Sequence, residues 1–332
     1  MRVRALSLVL PLLIMVACSS GSTGPTSSAA LLGTPAASGS AAPDTVVADQ
    51  VPADQLPTAS GGFGDKPTLT FPAGDPPGSL QRVVLVNGTG PATQKGDWLI
   101  TNYLGQVWGR TVFDNSYDKK TTAAFQIGLG KLVPGWDVAL DGVPVGSRVL
   151  LSLPPADGYG ATGKDSAGIA GTDTLVFVVD IVQAVAPTAA GQTDAVPQSV
   201  PDGGPQVSGA LGGVPTVSIP AGLGEPTTPS VTVLAKGTGA PVETGQVLAQ
   251  YVAVNWTGEL AGSTWPGAPG VTGQPSTGPR AIPVIAGKSF AGLVGVPLGS
   301  RVLVQLPVTT NTKTGKPVPA TASVLDLLAQ AS

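Results

Sequence analysis

The 332-residue chain has room for two domains of ordinary size. Its 46 Gly and 33 Pro against 11% charged residues exclude a mainly helical protein, and a net charge of -3 without a basic run excludes a nucleic-acid surface. With no His and one Cys, the chain has no His-based triad, no His- or Cys-ligated metal and no intrachain disulfide, so chemistry falls to carboxylates, Tyr, Lys, Ser or no reacting side chain.

Residues 1–17 read as a signal peptide: Arg2 and Arg4 precede an apolar run, Ala5 to Ala17, too short to span a bilayer as a helix. The run ends Met15-Val16-Ala17-Cys18, which resembles a bacterial lipobox. That resemblance implies lipidation of Cys18 and an anchor on the extracytoplasmic face of the cell membrane, where several acyl chains hold better than one. The alternative is an ordinary secretory peptide cut elsewhere. Residues 18–66, rich in Ser, Gly, Ala, Pro and Thr, are expected as a flexible, disordered tether.

Beyond this point the sequence repeats itself at a period of about 150 residues, which suits a duplicated domain. Pro67-Thr68-Leu69-Thr70-Phe71-Pro72-Ala73-Gly74 answers Pro215-Thr216-Val217-Ser218-Ile219-Pro220-Ala221-Gly222. Gly142-Val143-Pro144-Val145-Gly146-Ser147-Arg148 answers Gly295-Val296-Pro297-Leu298-Gly299-Ser300-Arg301. The spacing gives a first domain over 67–186, a linker over 187–213 and a second domain over 214–330. In the first, Gln81 to Val86, Trp98 to Val107, Phe125 to Gly128, Arg148 to Leu153 and Leu175 to Val182 read as strands, rich in β-branched or aromatic residues. Pro134 to Leu140 reads as a short helix, Pro at its start and Gly142 beyond its end. The fold class is therefore α+β, an antiparallel sheet wrapped on one short helix, twice over.

Seven segments then fall in one family's order. They are Tyr103-Leu104-Gly105, Val112-Phe113-Asp114-Asn115-Ser116, Phe125-Gln126-Ile127-Gly128, Leu132-Val133-Pro134-Gly135-Trp136, Gly142 to Arg148, Pro154-Pro155-Ala156-Asp157-Gly158-Tyr159-Gly160 and Leu175 to Asp180. From about Leu80 to Ala184 the chain resembles the FKBP-type peptidyl-prolyl isomerases. The resemblance implies tandem FKBP-like domains and a prolyl site in the first. Tyr103, Phe113, Asp114, Trp136 and Tyr159 would be its catalytic residues, and Leu132, Val133, Ile169 and Phe177 would complete its walls. Trp136 would form the floor, Tyr159 would offer its hydroxyl to the substrate carbonyl, and the Ile169 N–H would point at a bound carbonyl. Two departures from the family pattern stand out. Ala123 stands where an aromatic is common, and Lys164 and Asp165 stand where His or apolar residues are common. For Asp114, next to Phe113 at a strand end, the alternative is an ordinary turn or cap role.

The implied chemistry suits this composition. Rotation about an X-Pro amide meets a barrier of ~18–20 kcal/mol, yet breaks no bond, so neither metal nor cofactor is expected. A water-poor aromatic site favours the twisted, less dipolar amide over the planar one. In the second copy, Phe113 and Asp114 become Ala261 and Gly262, Trp136 falls on Ser289 or Lys288, the Tyr159 segment becomes Pro307 to Asn311, and Phe177 falls on Ser323. That copy is expected to keep the fold without the site. The expected partners are Pro-containing exported polypeptides, which the enzyme would help through slow X-Pro steps. A non-catalytic, tethered binding or chaperone module for Pro-containing segments is the alternative.

Overall fold

A computed structural model of the protein describes residues 51–266 and 276–331. The signal peptide 1–17, Cys18 and the tether as far as residue 50 lie outside the described residues. The first half opens with a two-stranded hairpin, β1 (Thr58–Ala59) and β2 (Leu69–Thr70). There follow β3 (Gln81–Val86), β4 (Trp98–Val107), β5 (Val112–Asn115), β6 (Ala123–Gln126), the helix α1 (Pro134–Ala139), β7 (Arg148–Leu153) and β8 (Leu175–Val185). The six later strands form one antiparallel sheet in the order β3-β7-β8-β4-β5, with β6 paired to the other end of β4.

Alternation along a strand assigns each side chain to a face. Val149, Leu151 and Leu153 of β7 join Phe177, Val179 and Ile181 of β8, Trp136, Ala139 and Leu140 in the main core. Pro134 at the first helical position starts α1, and positive-φ Gly142 follows its end. This face of the sheet carries the helix.

The opposite face is covered as well, and here the expectation of a flexible tether through residue 66 needs correcting. Leu150, Val176 and Val178 pack against Ala59, Leu69 and Phe71 of the hairpin segment and against Trp108. Buried Arg148 and Asp180 sit on the same face and pair through Arg148 Nε to Asp180 Oδ1 at 2.6 Å. The guanidinium then donates to Gly61 O at 3.0 Å and Asp65 O at 2.6 Å, while the Gly64 N–H donates to Asp180 Oδ2 at 2.7 Å. Residues 51–66 are polar and Gly-rich, yet they are fixed because they satisfy a buried ion pair that water does not reach.

The second half contains β9 (Val196–Pro197), β10 (Gln206–Ser208), β11 (Thr216–Ser218), β12 (Ser230–Lys236), β13 (Gly245–Asn255), β14 (Leu260–Ser263), β15 (Arg280–Val284), β16 (Arg301–Leu306), β17 (Thr309–Thr310), β18 (Pro317–Val318) and β19 (Thr321–Ala331). Its sheet runs β14-β13-β19-β16-β12-β9, with β15 on β13. The hairpin β10–β11 contributes Val207 and Val217 to the cluster around Leu303 and Val324. Arg301 pairs with Asp326 at 2.7 Å and donates to Gly209 O at 3.3 Å and Gly213 O at 2.7 Å.

Two further expectations are corrected here. Residues 187–213 are not a free linker: β9 and β10 lie in them, and Gln192 accepts the Thr238 N–H at 2.6 Å and donates its own N–H to Gly299 O at 3.1 Å. Nor does the second half wrap an α-helix among its described residues. A single 3-10 turn, Ala291–Leu293, follows Phe290, which packs against the second half's own core.

The halves meet along β4 and β19. Ile100, Val185, Leu248 and Ala329 form a shared apolar cluster with Trp98, and the Trp98 indole N–H donates to Pro279 O at 2.8 Å. Gln126 donates to Thr277 O at 3.0 Å, and Gln250 to Pro187 O at 2.8 Å.

Candidate active site

Trp136 is fully buried at the start of α1 and is the hub of a ring cluster. Its indole meets Phe125 at 5.0 Å between centroids, Phe177 at 5.2 Å and Tyr103 at 5.9 Å. Tyr103 also meets Phe125 at 5.5 Å, and Phe113 meets Phe177 at 5.6 Å. Every one of these pairs is edge-to-face, the arrangement that aligns a ring's positive edge with its neighbour's negative face. The sequence places the rings by period: Tyr103 on β4, Phe113 on β5, Phe125 on β6 and Phe177 on β8 all turn toward the helix.

Close approach requires Gly105. Its β4 position lies opposite Asp114 on one side and Phe177 on the other. A Cβ there would stand 2.7 Å from Phe113 Cζ and 2.8 Å from Phe177 Cε1, so any larger residue separates the rings. Gly135 plays the same part under the helix, where a Cβ would stand 2.6 Å from Leu153 Cγ.

All nine residues expected at the site gather here. Tyr103, Leu132, Val133, Trp136, Ile169 and Phe177 belong to the buried cluster, with half-buried Phe113 and Tyr159 packed against it. Asp114 accepts a short hydrogen bond from the Tyr103 hydroxyl and the Lys119 ammonium at 2.5 Å. One expected detail is corrected. The Ile169 N–H donates to Lys164 O at 3.2 Å inside its own loop, because Lys164 and Ile169 form a β-bridge there. Its side chain, not its amide, faces the cluster.

Phe125, Lys119 and Asp137 are not among the site residues expected from the sequence, although Phe125 heads one of the seven segments. Phe125 was legible, since it stands two residues before Ile127, also in the buried cluster. Asp137 holds the turn before the helix by accepting the N–H groups of Gly128 at 2.8 Å and Gly130 at 2.7 Å. Burial nonetheless raises its carboxyl above the usual carboxylate range, with those two bonds opposing the shift.

Two polar groups in the cluster, Tyr159 Oη and Trp136 Nε1, are buried and make no hydrogen bond among the described residues. Buried polar groups are nearly always paired, so an unpaired donor set among aromatic rings asks for an external acceptor. Burial pushes the Tyr159 hydroxyl up to about 12, with the Asp114 charge adding to the shift, so it stays protonated and able to donate. Burial also raises Tyr103, reinforced by its bond to Asp114. Among the described residues, no group of three or more His, Cys, Asp or Glu is placed to hold a metal. Two surface cavities of about 400 and 590 Å³ lie in the second half, and none of their lining residues belongs to the ring cluster.

In the second half the same register carries different side chains. Tyr251 matches Tyr103, for the Tyr251 N–H donates to Thr264 Oγ1 at 2.6 Å as the Tyr103 N–H donates to Ser116 Oγ at 2.9 Å. Ala253, the counterpart of Gly105, lies opposite Gly262 and Ser323. A hairpin, β17–β18, occupies the stretch that carries Tyr159 in the first half.

An antiparallel sheet folded over one short helix, with a Trp-centred aromatic cluster between them, defines the FKBP class of fold. The family model described as "FKBP-type peptidyl-prolyl cis-trans isomerase" matches residues 90–182. A curated FK506-binding protein of Streptomyces anulatus is 36% identical over 119 residues, which is 36% of this chain and 96% of that protein. Peptidyl-prolyl cis-trans isomerase FKBP15-1 of Arabidopsis thaliana is 38% identical, over 26% of this chain and 57% of the relative, so the match spans little more than half of that protein. Among solved structures, AtFKBP13 shares 30% identity with a TM-score of 0.30, over 33% of this chain and 95% of its own. FkpA from Escherichia coli shares 32% identity with a TM-score of 0.30, over 32% and 48%. The chain belongs to the FKBP-type peptidyl-prolyl cis-trans isomerase family.

Proposed function

We propose that the protein catalyses cis-trans isomerisation of X-Pro bonds at the ring cluster of its first half, and that the second half is a tandem FKBP-like domain without catalysis. The observation that carries the reading is the pair of unpaired donors, Tyr159 Oη and Trp136 Nε1, set within Tyr103, Phe113, Phe125 and Phe177. A prolyl ring seated on Trp136, between Leu132, Val133, Ile169 and Phe177, sits where water is scarce. The Tyr159 hydroxyl is then the natural donor to the carbonyl of the reacting bond. Twisting the amide ends its resonance and reduces its dipole, so an apolar site stabilises the rotated state over the planar one. Lowering the barrier by about 5–8 kcal/mol corresponds to four to six decades in rate. Asp114 acts by orientation: it fixes the Tyr103 hydroxyl and draws in Lys119, and no proton needs to leave the substrate.

The second half supports the first. It buttresses β4 and β6 through Trp98 and Gln126, and it lacks the Phe, Asp and Trp side chains of the site. The lipobox resemblance at Cys18 supports a lipid-anchored protein on the outer face of the cell membrane, acting on Pro-containing exported chains. A protease-coupled prolyl-peptide assay of the full chain tests the site. Tyr159→Phe is expected to lower kcat/KM about tenfold, the worth of one good hydrogen bond. Undiminished turnover in both Tyr159→Phe and Trp136→Ala would move the activity elsewhere. Fractionation with membranes in the wild type, and its loss in Cys18→Ala, tests the anchor.

A further inference from the structure

We propose that residues 61–66 position Asp114 from the other face of the sheet, with Lys66, Tyr117 and Asp118 as the positioning residues. The inference rests on the reading of the ring cluster as the prolyl site, where Asp114 fixes the Tyr103 hydroxyl. Strand β5 ends at Asn115, and residues 116–121 then turn at the edge of the sheet. Ser116 fastens this turn to β4: its N–H donates to Tyr103 O at 2.9 Å, and its Oγ accepts the Tyr103 N–H at 2.9 Å. The turn carries two arms. The Lys119 ammonium reaches Asp114 at 2.5 Å. Two residues earlier, the Tyr117 hydroxyl reaches the buried ion pair behind the sheet, donating to Asp180 Oδ2 at 3.0 Å and accepting from Arg148 Nη2 at 3.3 Å.

Residues 61–66 hold the same pair and the same turn. Asp180 Oδ2 accepts the Gly64 N–H besides the Tyr117 hydroxyl, and the Arg148 guanidinium donates to Gly61 O and Asp65 O. Lys66 Nζ donates to Asp118 Oδ1 at 2.6 Å, while Asp118 Oδ2 accepts from Asn115, the neighbour of Asp114, at 3.0 Å. Within this turn Lys120 has φ 52°, the one non-glycine residue at positive φ among the described residues. Such a conformation persists where its surroundings over-determine it. The second half is an internal control. It keeps the Arg301–Asp326 pair, but Asp114 is matched by Gly262, Tyr117 by Trp265, Asp118 by Pro266 and Lys66 by Val214. Trp265 Nε1 makes no hydrogen bond among the described residues, so Trp265 gives its turn no polar arm to Asp326. The ion pair thus persists without the site, whereas the arms occur where there is a carboxylate to position. Small displacements of a group at a reacting centre cost rate, which is what such a backing layer prevents.

The test is kcat/KM for a prolyl peptide, measured on the full chain. Tyr117→Phe is expected to lower it about fivefold, part of the worth of a hydrogen bond to a charged group. Lys66→Ala should lower it about twofold, and Lys66→Arg should restore it. Both effects run through the carboxylate, so neither Tyr117→Phe nor Lys66→Ala should lower kcat/KM further in an Asp114→Asn background. A merely structural role would give the same losses in both backgrounds, and that result would overturn the positioning role. Wild-type turnover in Tyr117→Phe and Lys66→Ala alike would also overturn it, and would leave the site reading intact. Val214→Ala, at the counterpart of Lys66, should change nothing. Should Tyr117→Phe fail to fold, the variants of exposed Lys66 carry the test. No turnover of any peptide by the folded wild type would instead remove the site, and its positioning with it.

Discussion

In the first half, Gly105 faces Asp114 and Phe177; in the second, Ala253 faces Gly262 and Ser323 at the same places in the ladder. Around these positions the two halves agree closely. Each pairs a buried Arg with a buried Asp, each closes the back of its sheet with a two-stranded hairpin, and each turns a Val- and Leu-rich face toward its core. What sustains the sheet is therefore separable from what fills its concave face. Gly105 is a glycine because two rings crowd it, and where those rings are absent an alanine fits.

That comparison breaks first at the ion pairs. Asp180→Ala and Asp326→Ala each strand a buried guanidinium, and each should destabilise its own half by about 3–5 kcal/mol in denaturant unfolding. A large loss in one and none in the other would mean that the frames are not equivalent. Trp136→Ala should cost a similar amount, about 3–5 kcal/mol, together with turnover. Ser289→Ala and Lys288→Ala, at the two positions on which Trp136 falls in the second copy, should each stay within about 0.5 kcal/mol and keep full activity.

Finer contrasts follow. Gly105→Ala should cost about 1–3 kcal/mol by overpacking and lower kcat/KM, while Ala253→Gly costs about 0.5–1 kcal/mol and leaves turnover alone. Crystal structures or ring-current NMR shifts of Phe113 would show the displaced rings. The smallest effect is one of pH. Burial raises the hydroxyls of Tyr103, Tyr117 and Tyr159 in the first half, Tyr159 to about 12, against Tyr251 in the second. An unfolded tyrosine ionises near pH 10. The stabilisation is therefore whole below about pH 10 and is lost as pH rises through the folded values. Unfolding measured at pH 8 and pH 11 should show the first half weakening more than the second.

Much of this was legible in the residues. The β3, β4 and β7 strands fall where β-branched and aromatic runs predict them, and the site residues came from motif order. The two back-face hairpins did not emerge, because Gly, Ser and Pro in residues 51–66 and 187–213 look like spacer whether or not something holds them. A signal was nonetheless present. Arg148-Val149-Leu150-Leu151-Ser152-Leu153 has no solvent-facing alternation, so both faces needed cover. The repeat of Pro67 to Gly74 in Pro215 to Gly222 marked the segment that supplies it. The engaged amide of Ile169 depends on a loop bridge that no local pattern announces. The seam between the halves likewise depends on Trp98 and Gln126 meeting carbonyl groups from more than a hundred residues away.

The Arg148 clasp has a directional result. Residues 51–66 arrive on one face of the sheet, whereas Trp136 and Tyr159 lie on the other. The described start of the chain is therefore fastened to the face of the sheet away from the ring cluster. Along that segment the Val51 N–H bond to Gln81 Oε1 and buried Leu56 come before the Arg148 clasp, so the back of the sheet is held at three successive points.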